Sequence, residues 1–188
     1  MLLDNFLDIN NRKDFRNWLS NNYNKYNECW LKLKKGKPNI NDNIFYYLDA
    51  VEEALCFGWI DGLHKTVQEI GHLTKFSPRT KNSQWSELNK ERCKRLEKLG
   101  LMTNAGRKAL EKAKPFVIDD DILQILSNDK DLQDKFYSFP QLYQRIRINT
   151  IQREKNKKDV YNRMIKNFIT NTKNGKMYGQ WNDYGRLY

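Results

Sequence analysis

Four short stretches bring together residue types that recognise anions or move protons. "FGWIDG" supplies Trp59 and Asp61, "FSPR" supplies Arg79, "QWSELN" supplies Trp85, Ser86 and Asn89, and "CWLKLKK" supplies Trp30 and Lys34. An arginine fork holds a carboxylate or phosphate through two parallel hydrogen bonds. Arg79 follows Pro78, whose fixed φ stiffens the chain, and it precedes a helix start whose unpaired N–H groups attract anions. Aromatic walls with a few convergent polar groups are the make-up of a ligand cleft. The eight residues therefore form a candidate anion-binding cleft, with Asp61 as the candidate acid or base if the site turns over a substrate. The competing reading is a second hydrophobic core in which Arg79 only pairs with Asp61.

Other chemistry is less well supported by the spacing. Cys56, Asp61 and His64 could make a thiol nucleophile with its base. However, Cys56 falls on a helical apolar face, and an unbroken strand would point Asp61 and His64 to opposite sides. Glu52 and Glu53 are adjacent on a helix, so their side chains diverge and one of them should be solvated. The two histidines lie eight positions apart with no carboxylate cluster at ligand spacing, and there is no phosphate loop of the G-x-x-x-x-G-K-[ST] kind. No metal and no cofactor are expected. The helix pair 87–99 and 104–114 has helix-turn-helix proportions, which a packing hairpin shares.

These residues need elements to hold them. Phe15, Trp18 and Leu19 repeat at helical spacing, and "CWLKLKK" alternates as a strand, with Cys29, Leu31 and Leu33 on one face and Trp30, Lys32 and Lys34 on the other. A helix is expected from Ile44 to Phe57, with Asn41 to Asn43 as possible caps and Gly58 as its stop. "WIDGLHKTV" and "HLTKFS" read as an antiparallel hairpin. Taking Ile60 as core-facing puts Trp59 and Asp61 beside Trp30 and the lysines, on the face opposite Leu31. After Pro78 come a helix capped by Ser86 and ended by Gly100, a second one from Thr103 to about Lys114, an acidic "PFVIDDD" linker, and three or four helical pieces over 121–173, one starting at Pro140. The fold class is α+β: a small antiparallel sheet with helices packed on it over 1–115, a small all-helical domain over 116–174, and an aromatic and glycine-containing tail over 175–188.

The motifs in this order resemble the YdeI/OmpD-associated (OmdA-type) family. "YYLDAVEEALCFGWIDG", "FSPR" and "SQWSELNKERCKRLEKLGLMTNAGRKALEKAK" carry its Trp-Ile-Asp-Gly turn, F-x-P-R step, W-S-x-x-N helix start and G-x-M-x-x-A-G joint. The likeness is close over about 28–114 and looser beyond, where such proteins carry a small helical domain. It implies that Trp59, Asp61, Gly62, Pro78, Arg79, Trp85, Ser86 and Asn89 stand at family positions, and it implies a link to bacteriocin protection. His64 departs from the pattern, and "GQWNDYGRLY" has no counterpart.

Composition sets the remaining bounds. The 188 residues are 39 % apolar and 30 % charged, enough for a packed core. No signal peptide or span of about 20 apolar residues is visible, and Cys29, Cys56 and Cys93 have no pairing or ligand pattern, so a soluble cytoplasmic protein with no membrane contact is expected. The formal charge of +11 is uneven. Residues 81–114 carry 10 basic against 4 acidic side chains, and 141–188 carry 11 against 3. These two segments make nucleic acid a candidate partner beside a small anionic ligand. Lysine-rich surfaces also arise from composition alone.

Overall fold

The computed structural model describes residues 5–39, 41–42 and 44–187. They fall into two compact units: the residues up to Gln84 plus Arg92–Ala113, and Trp85–Glu91 plus the residues from Lys114 on.

The first unit runs β1 (Phe6–Leu7), α1 (Arg12–Asn22), β2 (Cys29–Lys32), α2 (Tyr47–Cys56), β3 (Trp59–Val67), β4 (Gly71–Pro78), most of α3 (Glu87–Lys98) and α4 (Asn104–Leu110). The sheet order is β1-β2-β4-β3. The expected hairpin forms, β2 pairs antiparallel with β4, and the two-residue β1 adds a parallel edge. Helix α2 begins three residues later than its periodicity suggests, and its N-cap is Tyr46 without a side-chain cap bond. Of the expected asparagine caps, Asn43 lies outside the described residues.

Register decides which side chains share a face, because directly opposite residues point the same way. Cys29 faces Phe76, Leu31 faces Thr74, Asp61 faces Phe76 and Trp59 faces Pro78. All of these lie on one side, which α1 and α2 help to cover. Phe15 stacks edge-on to Phe76 at 5.6 Å, and Trp18 meets Trp59 at 5.8 Å. The expected grouping of Trp59 and Asp61 with Trp30 is thereby corrected: both lie with Leu31. Ile60 set that expectation wrongly. It is only half-buried, while Trp59 is 1 % exposed and is the true core anchor.

Two glycines explain part of the sequence motifs. Gly58 ends α2 at φ +75, and a Cβ there would stand 3.0 Å from the Ala105 carbonyl oxygen. A Cβ on Gly106 would lie 2.3 Å from the Cys56 carbonyl oxygen. That oxygen accepts from the Thr103 hydroxyl at 2.6 Å and from its backbone N–H at 3.1 Å. The start of α4 is thus fastened to the end of α2, and only glycine permits the approach.

The second unit holds the start of α3, where Ser86 Oγ accepts from the Asn89 N–H at 3.2 Å, followed by four further helices. These are α5 (Asp120–Ser127), α6 (Lys130–Ser138), α7 (Gln141–Gln152) and α8 (Lys158–Lys173). Ile122, Leu126, Leu132, Phe136, Ile148, Ile151 and Phe168 form their core. The tail packs in this unit: the Arg147 guanidinium donates to the Tyr178 carbonyl and lies 4.0 Å from the Tyr178 ring, beside a Gly179 that leaves room for it. Among the described residues no helix is long and apolar enough to cross a membrane.

Candidate functional site

Strand β3 is irregular where the chemistry is densest. Asp61 opposes Phe76 but His64 opposes Thr74, so three steps on β3 match two on β4. This bulge at Gly62 and Leu63 turns Asp61 and His64 to the same face, against the expectation for an unbroken strand. Tyr47, in the first turn of α2, donates its hydroxyl to Asp61 Oδ2 at 2.5 Å, and its ring lies 6.4 Å from that of His64. His64 Nδ1 is 3.1 Å from Thr74 Oγ1. Asp61 is half-buried and His64 exposed. A carboxylate held by a phenol, with an imidazole on the same shelf, is suited to proton transfer. Sequence reasoning missed Tyr47 because its partner is 14 residues away. Gly62, beside the register slip, was the signal for His64.

Trp30 and Trp59, expected to wall one cleft, lie on opposite faces of the sheet. Trp59 gives its indole N–H to the Tyr23 carbonyl at 3.0 Å and is sealed in the core. Trp30, 6 % exposed on the opposite face, donates to Glu28 at 3.1 Å. Neither can wall an open cleft. Among the described residues Arg79 makes no ion pair with Asp61, whose partner is Tyr47. Its backbone N–H bonds the Gly58 carbonyl at 2.9 Å, and its guanidinium reaches the Gln84 carbonyl at 3.3 Å. Trp85, Ser86 and Asn89 belong to the second unit, where Ser86 caps α3, Asn89 is buried and Trp85 is half-buried.

Lys34 retains an open setting. With Asn10, Lys32, Leu33, Ile44 and Phe45 it lines a depression of about 430 Å³. Its ammonium is half-exposed, 3.9 Å from Asp42 and 5.2 Å from the Tyr46 ring. On the sheet beside it Lys32 and Lys65 are both opposite Leu73, one on each flanking strand. Their Cα atoms are therefore about 10 Å apart across three strands. Both lysines are exposed, and neither has an ion pair among the described residues.

A family model described as Domain of unknown function (DUF8412) matches residues 7–109. The chain belongs to this family. No curated protein and no solved structure gave a match. The DUF8412 region runs from β1 to α4 and contains both the Asp61 shelf and the lysine depression.

Within the DUF8412 region the strongest electrostatics are internal. Glu52 and Glu53 are both buried, at 0 % and 2 % exposure, which corrects the expectation that one is solvated. Arg12 bridges them, with Nη1 2.8 Å from Glu52 and Nε 2.5 Å from Glu53. Arg16 adds a bond to Glu53 at 2.7 Å, and Arg95 one to Glu52 at 2.9 Å. Burial alone would lower the Arg12 pKa, but Glu53 and Glu52 outweigh it and hold the guanidinium above its ordinary value. The adjacent helix positions do diverge, and arginines from α1 and α3 meet them on both sides. The cysteines are buried thiols. Burial, and then Glu53, push Cys56 up to about 11; burial raises Cys93 to about 12 and Cys29 further. Thiols so raised are poor nucleophiles, so the Cys56 reading falls. Among the described residues no group of three or more His, Cys, Asp or Glu side chains could hold a metal ion.

In the second unit much of the basic run is engaged. Arg145 binds Glu91 at 2.7 Å and Glu87 at 3.3 Å, Lys155 binds Asp119 at 2.8 Å and Asp121 at 3.0 Å, and Lys157 binds Glu154 at 2.8 Å. Arg147 is buried against the tail.

Proposed function

We propose that the DUF8412 region is a binding module for a small phosphate- or carboxylate-bearing ligand, seated at the Lys32–Lys34 depression rather than at the cleft expected from Trp59, Arg79 and Trp85. The supporting observation is the lysine pair lining a depression of ligand size. Lysine acts there as a point charge, so shape and the Asn10 amide carry the orientation. A place in bacteriocin or stress protection belongs to the same proposal and rests on the resemblance of residues 28–114 alone.

The test is a thermal-shift titration with inorganic phosphate and simple phosphomonoesters on wild type and the Lys32→Ala/Lys34→Ala pair. A ligand at 100 times its Kd stabilises by about 2.7 kcal/mol. A shift in wild type that vanishes in a normally folded double variant supports the reading. Equal shifts in both proteins remove it.

A second reading, an enzyme with Asp61 as acid or base, draws on the bulge that puts Tyr47, Asp61 and His64 on one shelf. The nucleic-acid reading through 81–114 and 141–188 has less support, since Arg95, Arg145, Arg147 and Lys155 are used internally. Salt separates it from a single-ligand site: binding through many phosphates collapses with rising salt.

A further inference from the structure

The chain has only two histidines, and both sit on the helix-side face of the hairpin made by β3 and β4. The bulge is what brings His64 there, while His72 shares the face of Thr74 and Phe76 by the plain alternation of β4. His64 is opposite Thr74 and Thr66 is opposite His72, so imidazoles and hydroxyls alternate in a two-by-two checkerboard. His64 and His72 occupy one diagonal. Diagonal residues on adjacent antiparallel strands lie about 7–8 Å apart at Cα, within reach of side chains as long as histidine. Each ring is held through the same atom: His64 Nδ1 lies 3.1 Å from Thr74 Oγ1, and His72 Nδ1 lies 2.8 Å from Thr66 Oγ1. Both Nε2 atoms are left without a hydrogen-bond partner among the described residues. Both imidazoles are exposed.

We propose that His64 and His72 form a bis-imidazole site for one borderline divalent transition ion of the Zn2+, Ni2+ or Cu2+ class. The chemistry follows from the hydrogen bonds. A metal-ligating histidine donates its other ring N–H to an oxygen partner, which fixes the tautomer and the ring plane. In the tautomer that gives Nδ1–H to threonine, each Nε2 carries a lone pair not used by that hydrogen bond. Two imidazoles without thiolate or carboxylate suit these ions and not Mg2+ or Ca2+, which take oxygen ligands. Two protein ligands leave the remaining positions open to water or to an oxygen of a small ligand. The ion would stand on the same face as the Tyr47–Asp61 pair. The site is independent of the Lys32–Lys34 depression, so either reading can fail alone.

The probe is the metal alone, titrated into the full chain by calorimetry, with Cu2+ binding also followed by electron paramagnetic resonance. Wild type should take one Cu2+ or Ni2+ per chain, with Cu2+ the tighter and Mg2+ silent. His64→Ala and His72→Ala should each weaken binding by about tenfold or more, and each should reduce two coordinating nitrogens to one in the Cu2+ spectrum. Thr66→Val leaves both ligands but frees the His72 ring, and it should weaken binding by about tenfold. All three positions are exposed, so unchanged melting temperatures separate lost ligands from lost fold. Wild-type affinity in the His64→Ala/His72→Ala double variant overturns the proposal, as does a single-nitrogen spectrum in the wild type.

Discussion

The helix layer of the first unit and the lysine-bearing face of its sheet handle charge in opposite ways. Between α1, α2 and α3, Glu52 and Glu53 are removed from water and bound by Arg12, Arg16 and Arg95. On the sheet face turned away from Leu31, Lys32 and Lys65 stand exposed on either side of Leu73, and Lys34 is half-exposed, 3.9 Å from Asp42 and 5.2 Å from the Tyr46 ring. A buried carboxylate is tolerable only when its partners are fixed, so the first arrangement is architecture. Exposed ammonium groups keep their hydration and cost the fold little, so the second remains available to an outside anion. Net charge treats all these groups alike and therefore hides the distinction.

Removing one partner from the buried cluster gives the largest expected effect. Glu52→Ala should destabilise by about 3–5 kcal/mol, because Arg12 and Arg95 lose a carboxylate that is fully enclosed. Urea unfolding measures it, and a loss below about 1 kcal/mol would place the cluster with ordinary surface pairs. Next comes Gly106→Ala, which improves helix propensity yet drives a methyl group into the Cys56 carbonyl. The clash should prevail, costing about 1–3 kcal/mol; a stabilised variant would show that α4 is free to shift away from α2. Tyr47→Phe deletes the bond to Asp61 and should cost about 1 kcal/mol while leaving phosphate binding unchanged. If phosphate binding also weakened, the two faces could not be separate in function. The smallest change in stability belongs to Lys32→Ala/Lys34→Ala, within about 0.5 kcal/mol of wild type. A larger loss in chemical denaturation would make these lysines part of the architecture too.

Much of the first unit was legible in the residues. The alternation of "CWLKLKK", the hairpin, the Ser86 cap and the stops at Gly58 and Gly100 all depend on neighbours within a few positions, which sequence displays directly. The candidate cleft was less legible. Choosing Ile60 as the inward residue reversed the parity of β3, and a single wrong residue flips every side chain of a strand to the other face. That one choice sent Trp59 toward an open cleft when it is a core anchor. The second unit shows the same limit: residues 141–188 count as strongly basic, but the partners that engage Arg145, Arg147 and Lys155 lie 31 to 58 positions away in the chain.

What the sequence alone determined is the set of local elements: helix period, strand period, caps and glycine stops, each enforced by backbone geometry within one or two turns. It also determined that cysteine offers no pairing pattern and that arginine and lysine exceed acid. Tertiary structure decided which charges are spent. Glu53 is 41 residues from Arg12, Asp61 is 14 from Tyr47, and the bulge that joins Asp61 to His64 exists only in the register of β3 on β4. Burial and partner geometry are properties of chain segments meeting, and composition has no coordinate for where they meet.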